Sequence, residues 1–189
     1  RIFGRDLYEY SSEELAGTIC YVPQMTYIFA GTIRDNLVYG LSEDFSGRDL
    51  IGALERACLY DDLVSSVKKQ NCSLAERDRY DESVVNSVLE MSVIEGGNNL
   101  SGGMRQRLSL ARVFLRKPKL FIFDESTANL DEITGNTVLR NVETYAEGIG
   151  AGIVYIAHNE NVVKRCDEVI ELENRIYQNR RTEPQKCIA

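Results

Sequence analysis

The densest chemistry in the chain lies where four apolar residues run straight into two acids, in Leu120-Phe121-Ile122-Phe123-Asp124-Glu125. A buried strand ending in adjacent carboxylates can offer one to a magnesium ion and the next to an attacking water, which are the needs of phosphoryl transfer. Read alone, the hexapeptide is equally an ordinary buried strand entering an acidic loop. Two further residues change the weighing: Asp131, seven positions beyond Asp124 in Asn129-Leu130-Asp131, and His158, the sole histidine, directly after the apolar run 153–157. A second anchor is Leu100-Ser101-Gly102-Gly103-Met104. Ser101 suits a helix N-cap, and two glycines leave backbone N–H groups uncovered at the positive end of the helix dipole, a ready site for a phosphate oxygen. By itself this pentapeptide is as well read as a glycine-rich turn with a serine cap.

Elements must hold these residues in place. Apolar runs with polar punctuation predict strands over 18–22, 119–123 and 153–157, closed by Pro23, Asp124 and His158. Short apolar strands separated by helical segments predict a parallel sheet, buried on both faces, with ligand-binding groups at its strand ends. A fourth strand over 169–172 turns through Glu173 and Asn174 towards Ile176 and Tyr177, a hairpin edge. Met104, Leu108, Ala111 and Leu115 repeat at helical spacing, with Pro118 closing the segment. Val138, Val142 and Tyr145 do the same after Asp131, with Gly148 as the stop. Residues 49–90 are polar with helical patches and no convincing strand, which predicts a helical lobe between Pro23 and the Ser101 turn. Arg105, Arg112 and Arg116 share one side of their helix and read as a solvated or salt-bridged face.

Bulk properties narrow the classes. With 189 residues, 43% hydrophobic and 27% charged, the chain has the composition of a globular domain with a real core. A net charge of -7 gives no attraction to phosphodiester backbones, so nucleic acid is not an expected partner. The apolar runs are far shorter than the about 20 residues that cross a bilayer. Five cysteines lack C-x-x-C spacing, which argues against zinc or a disulfide framework and suits a reducing cytosol.

The order and spacing of these motifs resemble the ATP-binding cassette ATPases across nearly the whole chain. Ile19-Cys20-Tyr21-Val22-Pro23-Gln24 is similar to the Q-loop, 100–104 to the signature motif and 120–125 to Walker B. Residues 128–131 resemble the D-loop, and Tyr155-Ile156-Ala157-His158 the switch-histidine strand. The resemblance implies an α/β fold, a P-loop NTPase-like (RecA-like) core of mostly parallel sheet with an inserted α-helical subdomain. Residues 1–24 would be a partial N-terminal piece of that core, 25–115 the helical subdomain with the signature, and 116–189 the core with Walker B, D-loop and H-loop.

Carried over, Glu125 would be the general base and Asp124 the magnesium ligand. Gln24 would complete the metal and water shell while sensing the membrane domain, His158 would contact the γ-phosphate, and Asp131 would speak across a dimer interface. Ser101, Gly102 and Gly103 would bind ATP held by the opposite subunit. The implied cofactors are ATP and Mg2+. The implied partners are a second nucleotide-binding domain and a transporter's transmembrane domain, at the cytosolic face of a membrane. The stretch from Thr26 to Leu37, ending near Tyr39-Gly40, is similar to exporter-type cassettes, as are Glu95 and Gly97 before the signature.

Some features depart from that pattern. Met104 stands where many relatives have glutamine, Ile94 and Gly96 replace small and basic residues, and 67–91 is longer than usual, with Val84, Val85, Val88 and Leu89 suggesting an extra amphipathic helix after 81–83. No G-x-x-x-x-G-K-[ST] occurs, so the β-phosphate lacks its N–H cradle and its lysine. The expectation is a chain cut ahead of the Q-loop, inactive and unstable as the isolated 189 residues. Two alternatives compete. A soluble cassette ATPase of the DNA-repair or ribosome-associated kind would carry heptads or basic arms, which are not seen. A non-catalytic regulatory module would need a degenerate site, yet Glu125, His158 and Gln24 are all present.

Overall fold

The structure is a computed structural model, and it describes residues 1–25, 27–127, 130–173 and 176–181. Thr26, Ala128, Asn129 and Asn174, each part of a motif or turn named above, lie outside the described residues.

Three strands form a parallel sheet in the order β1 (Ile19–Val22), β4 (Leu120–Asp124), β5 (Gly152–Ile156). All three coincide with the predicted strands to within a residue or two. The register sets Val22 beside Phe123 and Asp124 beside Ile156, so the ends that carry Gln24, Glu125 and His158 lie on one rim. Period-two alternation sends Cys20, Val22, Phe121 and Phe123 to one face, where all are buried. Against that face lie Val138, Val142 and Ala146 of α7 (Glu132–Ile149) and a 3-10 turn, Arg112–Leu115. Tyr145 packs its ring on Phe114 and Phe121 there.

Burial on both faces, the sequence expectation, does not hold. Tyr21, Val154 and Ile156 on the opposite face are 54%, 45% and 50% exposed, because α7 and the 3-10 turn both pack on the phenylalanine side. The helix α7 also ends later than expected. It runs through Gly148 to Ile149 and stops at Gly150, whose φ of 69° supplies the left-handed C-cap that a side chain would resist.

Between the first and second sheet strands the chain is almost wholly helical. Strand β2 (Gly31–Thr32) leads into α2 (Ile33–Val38), followed by α3 (Gly47–Arg56), α4 (Tyr60–Gln70) and α5 (Glu82–Leu89), and β3 (Ser92–Val93) returns to pair antiparallel with β2. No strand falls within 49–90, as the polar helical pattern predicts. Sequence signals start these helices: Thr32 with Asp35 and Ser46 with Asp49 each form a reciprocal capping box. The helix expected in the long stretch 67–91 is α5, capped by Asp81, with Val84, Val88 and Leu89 buried. Helix α6 (Gly102–Ala111) follows, capped by Ser101 and tightening into the 3-10 turn before Pro118. A short helix α1 (Ser12–Thr18) precedes the sheet. Helix α8 (Glu160–Val163) leads to the hairpin of β6 (Glu168–Glu173) and β7 (Ile176–Arg181).

The arginine face is also corrected. Instead of solvent or carboxylates, the three guanidinium groups take backbone carbonyls. Arg105 donates to the Leu100 oxygen at 2.8 Å and Arg116 to that of Tyr39 at 3.2 Å. Arg112 donates to the oxygens of Tyr27 at 2.8 Å and Asn36 at 2.6 Å, and to Asn36 Oδ1 at 2.9 Å. Burial, with Arg116 close by, pulls Arg112 down to about 10. Asn36 is wholly buried and gives its amide to the carbonyls of Phe29 and Thr32 at 2.9 and 3.0 Å, while the Phe29 N–H donates to Oδ1 at 3.0 Å. Each of these groups, left unpaired in the interior, costs about 1–3 kcal/mol. Replacing Asn36→Ala is therefore expected to lower the unfolding free energy by about 3 kcal/mol in denaturant titration, and a loss under about 0.5 kcal/mol would show the network to be idle.

Candidate functional site

Glu125 is the hub of the rim. Its Oε2 accepts from Gln24 Nε2 at 2.6 Å, and its Oε1 lies 2.9 Å from His158 Nδ1. Gln24 follows the proline that ends β1, and His158 follows β5 by two residues, so the strand register alone brings both to the acid between them. Glu125 takes φ 45°, a left-handed conformation that non-glycine residues adopt at a cost. Its N–H donates to the Ile156 oxygen at 2.9 Å, which anchors the turn to β5.

Asp124 remains in the strand. Its Oδ2 accepts from the Tyr21 hydroxyl of β1 at 2.8 Å. That hydrogen bond, more than burial or charge, holds the Tyr21 phenol above its ordinary ionisation range. Asp131 caps α7, accepting from the Thr134 N–H at 2.9 Å, and this bond holds its carboxyl below the usual range. With Glu125 and His158 it lines a cleft of about 380 Å3.

The sequence-predicted residues thus fall into three places. Gln24, Glu125 and His158 touch one another, and Asp124 adjoins them in sequence and on β4. Asp131 shares the cleft without a direct bond to that trio. Ser101, Gly102 and Gly103 do not line the cleft. They open α6, where Ser101 Oγ accepts from the Met104 N–H at 3.2 Å. Just ahead of them Gly97 takes φ +65° with Arg105 Cδ 2.9 Å from where a Cβ would stand, so only glycine fits.

Two residues were missed. Tyr21 lies within the Q-loop-like motif, but its tie to Asp124 depends on strand register, which no local pattern shows. Gln106 is 2% exposed, and its amide donates to the Ser126 oxygen one residue past Glu125. Its signal was available: a polar residue one turn beyond Gly102 and one turn before buried Leu110, on the inward stripe of α6.

Known proteins resemble the chain in sequence and in fold. The sequence profile of the family described as ABC transporter matches residues 1–128. The chain is 37% identical over 171 residues to the lactococcin-G-processing and transport ATP-binding protein LagD of Lactococcus lactis subsp. lactis, covering 90% of this chain and 21% of that one. It is 32% identical to a multidrug resistance ABC transporter ATP-binding and permease protein of Lactococcus lactis subsp. cremoris (strain MG1363), covering 91% and 26%. A bacterial Atm1-family ABC exporter solved with ATP bound superposes with a TM-score of 0.70 at 26% identity, over 90% of this chain and 26% of that one. The chain therefore belongs to the ABC transporter family. It spans about a fifth to a quarter of the length of these relatives. No described helix is long and apolar enough to cross a membrane.

The Tyr21–Asp124 bond has a titration signature. A phenol whose ionisation is raised in the folded state contributes stability below its ordinary value near 10, and the contribution is lost as pH rises through the raised value. Following tyrosinate absorbance as wild type minus Tyr21→Phe should show late ionisation of Tyr21, and Asp124→Asn should return it towards the ordinary value. An unchanged curve in Asp124→Asn would mean that the bond does not form in solution.

Proposed function

We propose that this chain is part of the ATP-hydrolysing engine of an exporter-type ABC transporter, with Glu125 as the general base. The observation that carries this is the carboxylate itself, held at a strand tip by Gln24 on one oxygen and His158 on the other. Such fixation is what positioning a single water for in-line attack requires. The water oxygen bonds to the γ-phosphorus while the bond to the bridging oxygen breaks. ADP leaves with that electron pair, and Glu125 takes the water's proton.

Asp124 suits magnesium by its chemistry. It is a hard oxygen donor whose Oδ2 is steadied by Tyr21, and Mg2+ is usually held through one or two carboxylates together with substrate phosphates. Gln24 gives its amide N–H to Glu125, which leaves its carbonyl oxygen as a second donor. A bound magnesium would neutralise charge on the β- and γ-oxygens. His158 engages Glu125 through Nδ1, so Nε2 is the nitrogen for a γ-phosphate oxygen.

In this reading residues 1–24 and 116–189 belong to the core and 25–115 to the helical subdomain. Ser101, Gly102 and Gly103 stand at the start of α6, away from the cleft, and serve ATP held by a second nucleotide-binding domain. Asp131, ionised under its Thr134 cap, faces that partner. The assembly works with a transmembrane domain, at the cytosolic face of a membrane. Because the 189 residues contain no G-x-x-x-x-G-K-[ST] loop, they are not expected to turn ATP over by themselves.

The test uses the full-length transporter in membranes. Glu125→Gln should lower ATP hydrolysis by about 10²-fold or more while ATP still binds, the usual range for a general base. Turnover within about threefold of wild type would remove Glu125 from that role.

A further inference from the structure

Helix α6 carries at its start the residues proposed to hold a neighbour's ATP, and one turn later it touches the catalytic turn of its own chain. Gln106 is the point of contact. Its side chain is buried, and its amide donates to the carbonyl of Ser126, itself 4% exposed. Buried amides are costly unless bonded. A methionine or leucine would fill this inward stripe beside Leu108 and Leu110 without that cost, so packing alone does not call for glutamine.

The bond falls where the backbone is most demanding. Glu125 takes φ 45°, and two backbone groups bracket the Glu125–Ser126 pair. The Glu125 N–H is fixed to the Ile156 oxygen at 2.9 Å, and the Ser126 oxygen is fixed by Gln106. The first clamp comes from the sheet and the second from α6. Ser101 caps the same helix, and its first turn and Gln106 belong to one hydrogen-bonded rod that moves as a unit. A small shift of the Ser101–Gly103 end is therefore delivered to the loop that aims Glu125.

We propose that Gln106 is a positioning residue that couples two ATP sites: engagement of the α6 N-terminus by nucleotide on the neighbouring domain sets, through the Gln106–Ser126 bond, the orientation of Glu125 in the chain's own site. This rests on the assignment of Glu125 as general base and of Ser101–Gly103 to the opposite site. Coupling of this kind needs two sites and an element whose position both bias, and α6 supplies that element.

The experiment uses the full-length transporter with ATP and Mg2+ as probes. Gln106→Met keeps the volume without the donor, and Gln106→Asn keeps the amide one methylene short of its acceptor. Both are expected to lower kcat about tenfold with KM for ATP within about twofold, and to bring the Hill coefficient for ATP hydrolysis towards one. Backbone hydrogen exchange of the peptide spanning 124–127 should quicken while that of 152–156 stays as in wild type. Adding Gln106→Met to Glu125→Gln should cause little further loss, since both act through one carboxylate.

Wild-type kcat, cooperativity and exchange in either folded variant overturns the proposal, as does a parallel loss of kcat, ATP affinity and thermal stability, which marks a packing residue. If wild-type turnover does not depend on Glu125, the functional reading fails and this inference falls with it. If turnover depends on Glu125 but not on Gln106, only the inference fails.

Discussion

The site depends on one constrained residue. Glu125 leaves β4 in a left-handed conformation that costs of order 1–3 kcal/mol for a residue with a side chain. The surrounding structure holds it there with independent contacts: the Ile156 carbonyl on its N–H, Gln24 and His158 on its carboxylate, and the Ser126–Gln106 bond beyond it. These partners come from β5, from the residues just past β1 and β5, and from α6, segments far apart in sequence. The parallel register of the sheet is what makes them neighbours, since Val22, Phe123 and Tyr155 lie side by side immediately before the rim.

Helix α6 is the second organising part. Besides Gln106, it places Arg107 against Asp62 at 2.6 Å, near the start of α4. The 3-10 turn that continues it sends Arg112 to Asn36 and the Tyr27 carbonyl. A single element thus touches the helical region, the turn at Glu125 and Ser126, and the segment that follows Gln24. Its cohesion rests on side-chain donors meeting backbone acceptors, a geometry that guanidinium and amide groups satisfy better than an ammonium can.

Much of this was legible from residues. The three sheet strands, the hairpin after Val169 and the helix beginning at Glu82 follow from period and punctuation, because burial on one face leaves its mark on local sequence. The trio of Gln24, Glu125 and His158 was legible for a different reason: each stands one or two residues beyond an apolar run, and parallel strands gather their ends. What escaped depends on long-range pairing. Arg105, Arg112 and Arg116 share a helical side, but periodicity does not say that inward carbonyls wait there. Tyr21 finds Asp124 through register across 103 positions, and Gln106 finds Ser126 across 20. The stop at Gly150 instead of Gly148 was a local ambiguity between two glycines that only the backbone angle resolves.

The change of conformation between Asp124 and Glu125 also keeps two neighbouring carboxyl groups apart. Here the first keeps the pleat of its strand and leans on a phenol from β1, while the second, rotated by its left-handed backbone, is received by an amide and an imidazole. Adjacent in the chain, the two acids are handed to separate custodians, so each faces its own partners and is free for its own task.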